Sequence, residues 1–419
     1  MKASKYSAYQ DSEWAVRLNR FSLELIGLWP NCVQTTWEKR MCNLRTLLVF
    51  LTVSTVIVIP ALHSLMRIRS DIMLVIDNLQ FTLPITTCMI KIVIFWWKKE
   101  SVAPIIDMIA KDWMKTRKSQ EKMMMIARAQ TARIIITFGY GFMMSGWIVT
   151  VILPMLGYSV RYLTNITDPG RPLPVQTYYI YDVTKSPQYE ITFTFQAIAM
   201  FLCIMPYTGI DNFLSLLIFH ISGQLDIVNK RLMRLNNIAN YDILRNCVMD
   251  HTRLLRTIAV VEDTFNAILL MLFLYFGTLF ACYGFVMMSM LADGCRLSVS
   301  YLAYIISVIV NTFGHMCLYC AVGELLAAQI QFKPLLTCTY IFYDFECDRI
   351  HYAAYCNKWY TLDSKYARNL ILLMAKTDKP FYLNVGKVFP LTMATFCNLI
   401  KTSAGYISVL LTTRNQSKS

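Results

Sequence analysis

Charge is what this sequence has least of. Of its 419 residues only 16% are Asp, Glu, Lys or Arg, and 56% are apolar, where a soluble domain carries roughly a quarter of its residues as charges. With a mean hydropathy of +0.44, the shortfall excludes intrinsic disorder, which needs low hydrophobicity and high net charge, and argues against a set of soluble domains. It is the composition of a chain partly solvated by lipid. Disulfide spacing is missing as well: the 13 cysteines are odd in number and scattered through apolar stretches. Cys317 and Cys320 form a lone CxxC inside one of these stretches. A structural zinc needs four ligands, so this pair reads as small buried hydrophobes. Catalytic signatures are absent: His63, His220, His251, His315 and His351 are widely spaced, and no HExxH, GxSxG, P-loop or GxGxxG occurs. Neither an enzyme nor a bound metal or cofactor is expected. The first 41 residues carry charges every few positions and lack the apolar core of a cleavable signal peptide.

What the sequence does have is long apolar runs. A helix needs roughly 20 such residues to cross a bilayer, and seven stretches qualify: 46–66, 72–97, 134–160, 191–210, 264–292, 297–323 and 388–413. The expected fold is an all-α bundle of seven membrane spans. Its parts are an amino-terminal segment (1–45), six spans with helical extensions (46–323), a cytoplasmic anchor region (324–387), the last span (388–413) and a short tail (414–419).

Basic residues set the orientation. The net charge of +14 could suit nucleic acid, yet the charges collect in alternate connections. Lys and Arg number seven in the amino-terminal segment and eight, six and eight in the second, fourth and sixth loops. The other loops hold two, three and one, and the tail two. Such a bias marks the cytoplasmic side, so the chain is expected to begin inside and, after seven crossings, to end outside. A conventional G-protein-coupled receptor has the reverse orientation. Asn165, in the Asn165-Ile166-Thr167 sequon, falls in the third loop on the expected exterior, where it can be glycosylated. Residues 224–235, 253–261 and 353–375 have helical apolar spacing, which predicts cytoplasmic helices continuing from the spans.

Two features inside the spans point to function. In the last span Asn398, Lys401, Gly405, Ser408 and Thr412 follow a +3, +4, +3, +4 spacing and share one helical face. A polar stripe on a membrane helix either packs on other helices, as small Gly405 and Ser408 could, or lines water. One helix cannot enclose a channel, so a pore requires an oligomer. The outer halves of the third, fourth and sixth spans carry Met143, Met144, Trp147, Phe193, Phe195, Gln196, Tyr301 and Tyr304. These suit either ordinary bundle packing or an apolar cavity with a few polar groups for a small volatile molecule. Asp77 and Lys91, 14 positions apart in the second span, lie about four turns apart and cannot pair with each other. The spans offer too few carboxylates for an ion relay, which disfavours a transporter.

The carboxyl-terminal stretch 353–413 resembles the insect odorant receptors. The resemblance rests on Trp359-Tyr360, Lys379-Pro380, Gly386-Lys387, Pro390-Leu391, Phe396, Lys401-Thr402 and Tyr406, with further similarity over residues 171–196 and 211–235. The related gustatory receptors share the topology, but their TYhhhhhQF-type ending is not reproduced here. The resemblance implies a subunit of an odorant-gated, non-selective cation channel in the plasma membrane of a sensory neuron dendrite. It would act as a heterotetramer with a shared co-receptor. It further implies that Val409 is the gate, beside Thr412, in a pore lined by the last span, and that Ile76, Leu79, Trp147, Ile198, Tyr301 and Tyr304 lie around the ligand. The short fourth loop, about 223–263, is unlike the co-receptor's and implies a ligand-tuned subunit.

Overall fold

The computed structural model describes residues 2–31, 35–115, 118–156, 170–233, 241–293, 299–330 and 382–418, with single positions between 364 and 371. Among these the chain forms eight long helices: α1 (Lys2–Leu25), α2 (Thr36–Arg67), α3 (Ile72–Lys115), α4 (Ser119–Met155), α5 (Gln188–Met233), α6 (Tyr241–Asp293), α7 (Val299–Ile330) and α8 (Met393–Lys418). Helices α2 to α7 are long and apolar enough to cross a membrane. α8 falls short among the described residues because its polar stripe, with Thr402, Ser403 and Thr413, dilutes an otherwise apolar helix. It begins at Met393 rather than residue 388. The preceding residues form a hairpin that pairs Asn384 with Pro390 and Val385 with Phe389, turning through Gly386 and Lys387, both at positive φ. The helix also continues past residue 413, through the stretch expected to be a tail.

Local chemistry explains several boundaries. α2 starts at a capping box, in which Thr35 Oγ1 accepts from Glu38 N (3.2 Å) while Glu38 Oε2 accepts from Thr35 N (2.9 Å). Two π-helical segments, Ser54–Val58 and Ile148–Ile152, precede Pro60 and Pro154. A proline cannot donate to the carbonyl a turn earlier, and the helix widens to accommodate it. The Val56 carbonyl that Pro60 leaves free accepts instead from the Tyr179 hydroxyl (2.6 Å). The Tyr178 amide bonds the Pro60 carbonyl (3.0 Å), so the loop before α5 is pinned to α2.

α5 is the central post. Every residue from Pro206 to Phe219 is buried, so the polar groups it carries, Asp211 and Asn212 among them, need partners inside the bundle. It packs on α1, α2, α3, α4, α6 and α7. The amino-terminal segment is itself a helix lying on this post, where buried Asn19 donates to the Asn212 carbonyl (3.1 Å). Beyond the membrane, α5 runs on to Met233 and α6 begins at Tyr241, in line with the predicted helical extensions. Residues 353–375 lie almost wholly outside the described residues.

Ion pairs lace the extensions together. Arg231 of α5 reaches Glu121 of α4 (2.9 Å) and Asp250 of α6 (3.2 Å), and Arg128 of α4 reaches Asp226 of α5 (2.9 Å). Asp112 of α3 lies between His220 (3.2 Å) and Arg253 (2.6 Å). Burial alone pushes its carboxyl up, but the hydrogen bonds and charge of His220 and Arg253 outweigh that and hold it below the usual carboxylate range.

α8 packs on α6 through a glycine groove. Leu399 faces Gly277 and Ile407 sits against Gly284 so closely that a Cβ on Gly284 would come 2.1 Å from Ile407 Cδ1. Buried Ser403 adds a hydrogen bond to the Gly277 carbonyl (3.2 Å). Gly405, on the opposite face, has open space around its Cβ position. Gly284→Val should therefore lower thermal stability in detergent by roughly 1–3 kcal/mol through overpacking, while Gly405→Ala should leave it within about 0.5 kcal/mol. Equal effects at the two positions would contradict this packing.

Candidate ligand site

A cavity of about 240 Å³ opens inside the bundle between α3, α4, α5, α6 and α7. Its wall is largely apolar and aromatic, with Phe81, Ile85, Phe142, Met143, Trp147, Met200, Tyr207, Tyr275, Phe276 and Leu279 among the lining residues. The volume lies below the roughly 300–1,000 Å³ of drug-sized sites, so the cavity suits a small molecule. Pro84 of α3 also contributes to the wall. Having no amide hydrogen, it interrupts the α3 ladder at the cavity. Trp147 is held from behind: its Nε1 donates to the Ala197 carbonyl (3.0 Å) and its ring meets Phe201 edge-on at 6.0 Å.

At the deep end stands a buried ion pair. Lys91 of α3 is fully buried, and its Nζ lies 2.7 Å from both carboxylate oxygens of Asp211 on α5. The ammonium also sits 4.0 Å over the Tyr207 ring, a cation–π arrangement. His315 of α7 points its Nε2 at the same carboxylate, 3.5 Å from Asp211 Oδ2. The imidazole is enclosed by aromatic rings, stacking on Tyr319 at 5.2 Å with Tyr207 and Phe276 edge-on. Tyr207, Phe276 and His315 line the cavity, so the polar cluster forms its floor.

The sequence-based candidates divide in the structure. Met143 and Trp147 line the cavity, while Met144 is half-buried beside it. Ile76 is not in the lining: it is packed with Cys282, Phe285, Val286 and Ile305, and Leu79 lies against that cluster. The cavity lies deeper along α3, at Gln80 to Ile85. Phe195 and Ile198 point away, 53% and 49% exposed. On α5 the bundle-facing stripe is Thr192, Phe193, Gln196, Ala199 and Cys203, and the two expected ligand contacts fall on the opposite side of the helix. Gln196 serves the loop before α5 instead, accepting from the Val175 amide (3.1 Å) and donating to Thr177 Oγ1 (2.7 Å). The side chains of Tyr301 and Tyr304, and all of Asn165, lie outside the described residues. In α8 the stripe of Asn398, Lys401, Gly405, Ser408 and Thr412 is exposed on this chain, as is Val409 at 61%.

Residues 71–331 and 336–404 match the family described as 7tm Odorant receptor. The chain belongs to that family. Among curated relatives of this odorant receptor chain, odorant receptor 33a of Drosophila melanogaster is 24% identical over 60% of this chain and 63% of its own length. Odorant receptor 85c of the same fly is 21% identical over 77% and 79%, and odorant receptor 10 of Aedes albopictus 24% over 55% and 57%. The chain thus spans under two thirds of the length of two of these relatives. In fold it is similar to the insect olfactory receptor OR5 from Machilis hrabei in complex with eugenol: TM-score 0.75 at 15% identity, covering 96% of this chain and 98% of that one. Together with six apolar helices of spanning length, the family match makes this a membrane protein with the all-α receptor bundle.

The buried pair gives a direct test of the floor's architecture. Lys91→Met strands the Asp211 carboxylate and should cost roughly 3–5 kcal/mol, read as a large drop in the melting temperature of purified protein. Adding Asp211→Asn should recover most of that loss, because removing both charges of a buried pair is far less costly than removing one. Additive losses in the double variant would contradict the pairing.

Proposed function

We propose that this receptor is the ligand-tuned subunit of an odorant-gated, non-selective cation channel. It begins in the cytoplasm and acts with a co-receptor in the plasma membrane of sensory dendrites. A small volatile molecule occupies the cavity, and α8 of each subunit lines the pore. The observation that carries this reading is the position of α6, which serves both sites. Tyr275, Phe276, Leu279 and Tyr283 line the cavity, while Gly277 and Gly284 on an adjacent face of the same helix seat α8. The similarity in fold to an olfactory receptor in complex with eugenol, a small volatile phenol, supports a ligand of this kind.

The mechanism follows from that shared helix. Ligand filling the cavity presses on the aromatic face of α6. Because glycines leave no slack between α6 and α8, displacement of one moves the other. Val409, on the outward face of α8 with Lys401, Gly405, Ser408 and Thr412, withdraws from the pore axis, and the apolar constriction takes up water. Ligand can shift the gate only by as much as it binds the open state more tightly than the closed one.

Two substitutions test the two ends. On co-expression with a co-receptor, Trp147→Ala should raise the half-maximal concentration of an activating volatile about tenfold or more, since a Trp in a binding contact is among the costliest side chains to truncate. Val409→Asp should raise resting leak or alter ion selectivity. Unchanged currents in the second variant, with normal surface expression, would sink the pore assignment.

A further inference from the structure

We propose that His315 is the specificity-determining anchor of the cavity and selects ligands that carry a hydrogen-bond donor, a volatile alcohol, phenol or amine N–H, over donorless analogues of the same shape. The proposal rests on the reading that the cavity is the odorant site.

The argument begins with the Asp211 carboxylate. Lys91 already balances its charge through both oxygens at 2.7 Å, so a second cation at His315 has no unpaired anion to meet. The neutral imidazole carries one proton, and the nitrogen facing a carboxylate is the one that holds it. Nε2 faces Asp211 at 3.5 Å. Nδ1 is then a lone-pair acceptor, and no hydrogen bond to His315 occurs among the described residues. The ring cannot turn to exchange the two nitrogens freely, because Tyr319 stacks on it and Tyr207 and Phe276 close its sides.

The other polar groups in the wall do not impose this preference. Thr150 and Thr312 donate their hydroxyl protons to their own helices, to Gly146 O (2.9 Å) and Val308 O (2.8 Å). Ser145 likewise donates to its own helix, at Phe142 O (2.7 Å). Asn311, one turn from His315 on the same face of α7, Gln80, Ser307 and the Tyr207, Tyr275 and Tyr283 hydroxyls can each serve as donor or acceptor and discriminate neither. At the floor, amid aromatic rings, His315 offers only an acceptor. In a low-dielectric cavity a ligand donor that finds this acceptor replaces the water it left, and one that lacks a donor leaves the nitrogen unsatisfied.

The experiment uses the full receptor co-expressed with a co-receptor, and a panel of volatiles arranged as alcohol, methyl ether and hydrocarbon on shared carbon skeletons, 1-phenylethanol and its analogues among them. The alcohol should activate at roughly five- to tenfold lower concentration than its ether, the discrimination expected of one net hydrogen bond. His315→Phe and His315→Leu should bring the matched compounds within about twofold of one another, whereas His315→Asn, which keeps an acceptor, should retain part of the preference. Equal potency of alcohol and ether in the wild-type receptor overturns the proposal, even where a variant fails to reach the surface. A ratio unchanged in His315→Phe overturns it too, as does a receptor that answers only ethers or hydrocarbons. Silence of the surface-expressed complex to every volatile is a different outcome: it overturns the odorant-site reading, and the His315 assignment with it.

Discussion

The pairing of Lys91 with Asp211 constrains everything around it. Neither charge can be left alone in the interior of a membrane bundle, so α3 and α5 must meet at this depth and register for the chain to fold at all. The pair fixes the rotation of both helices. Rotation in turn decides which residues face the cavity, and Tyr207, one turn before Asp211 on α5, is aimed at it as a consequence. The same carboxylate orients His315 from α7. A cavity assembled from apolar side chains alone would be free to collapse; this one has three walls held apart by a charge, its partner and an imidazole.

Rigidity on that side leaves motion to another. α6 contributes aromatic side chains to the cavity but no charge to the floor, and its attachment to α8 is steric, through glycines that admit Leu399 and Ile407. Packed cores of this kind shift as units because they have little room to deform. On the proposed reading, the charged floor is the fixed frame and α6 the moving wall, with α8 carried along. The ion-pair network of Asp112, Arg231 and Arg253 ties the other ends of α3 and α5 to α6, and on the same reading it confines large movement to the half of α6 beside the cavity.

Most of the fold was legible in the sequence because it follows from composition and periodicity. Long apolar runs gave the helices, and amphipathic spacing gave the extension of α5 to Met233. The hairpin before α8 was not legible, since it turns on positive φ at Gly386 and Lys387 and straddles the boundary at residue 388, where the apolar run reads as the start of the last span. The site was legible only in part. Met143 and Trp147 stood out as large soft side chains and do line the cavity. Phe195 stood out for the same reason and faces away, because richness in aromatics does not specify a helical face; Ile198, implied only by the family resemblance, lies on that same exposed side. The floor was missed altogether. Lys91 was noticed and Asp77 considered as its partner within one helix, but pairing across helices depends on tertiary packing. His315 seemed one of five scattered histidines. The available signal was that Lys91, Asp211 and His315 all lie in or at the edge of apolar runs, where each ionisable group needs a partner.

The stripe on α8 carries the argument beyond a single chain. Its inward face, Phe396, Leu399, Ser403 and Ile407, is fully used against α6 and α7, so the polar residues opposite are not relics of internal packing. A helix diluted by Asn398, Lys401, Gly405, Ser408 and Thr412 gains too little from lipid to be at home with that face in hydrocarbon. Other chains could cover the stripe completely, or they could share it around water. Small residues at Gly405 and Ser408 favour close approach, but Lys401 on the same stripe cannot be packed against copies of itself without bringing like charges together. Water between the helices separates the charges and satisfies the hydroxyls at once, and that combination makes a hydrated axis among several chains the more economical arrangement of this helix.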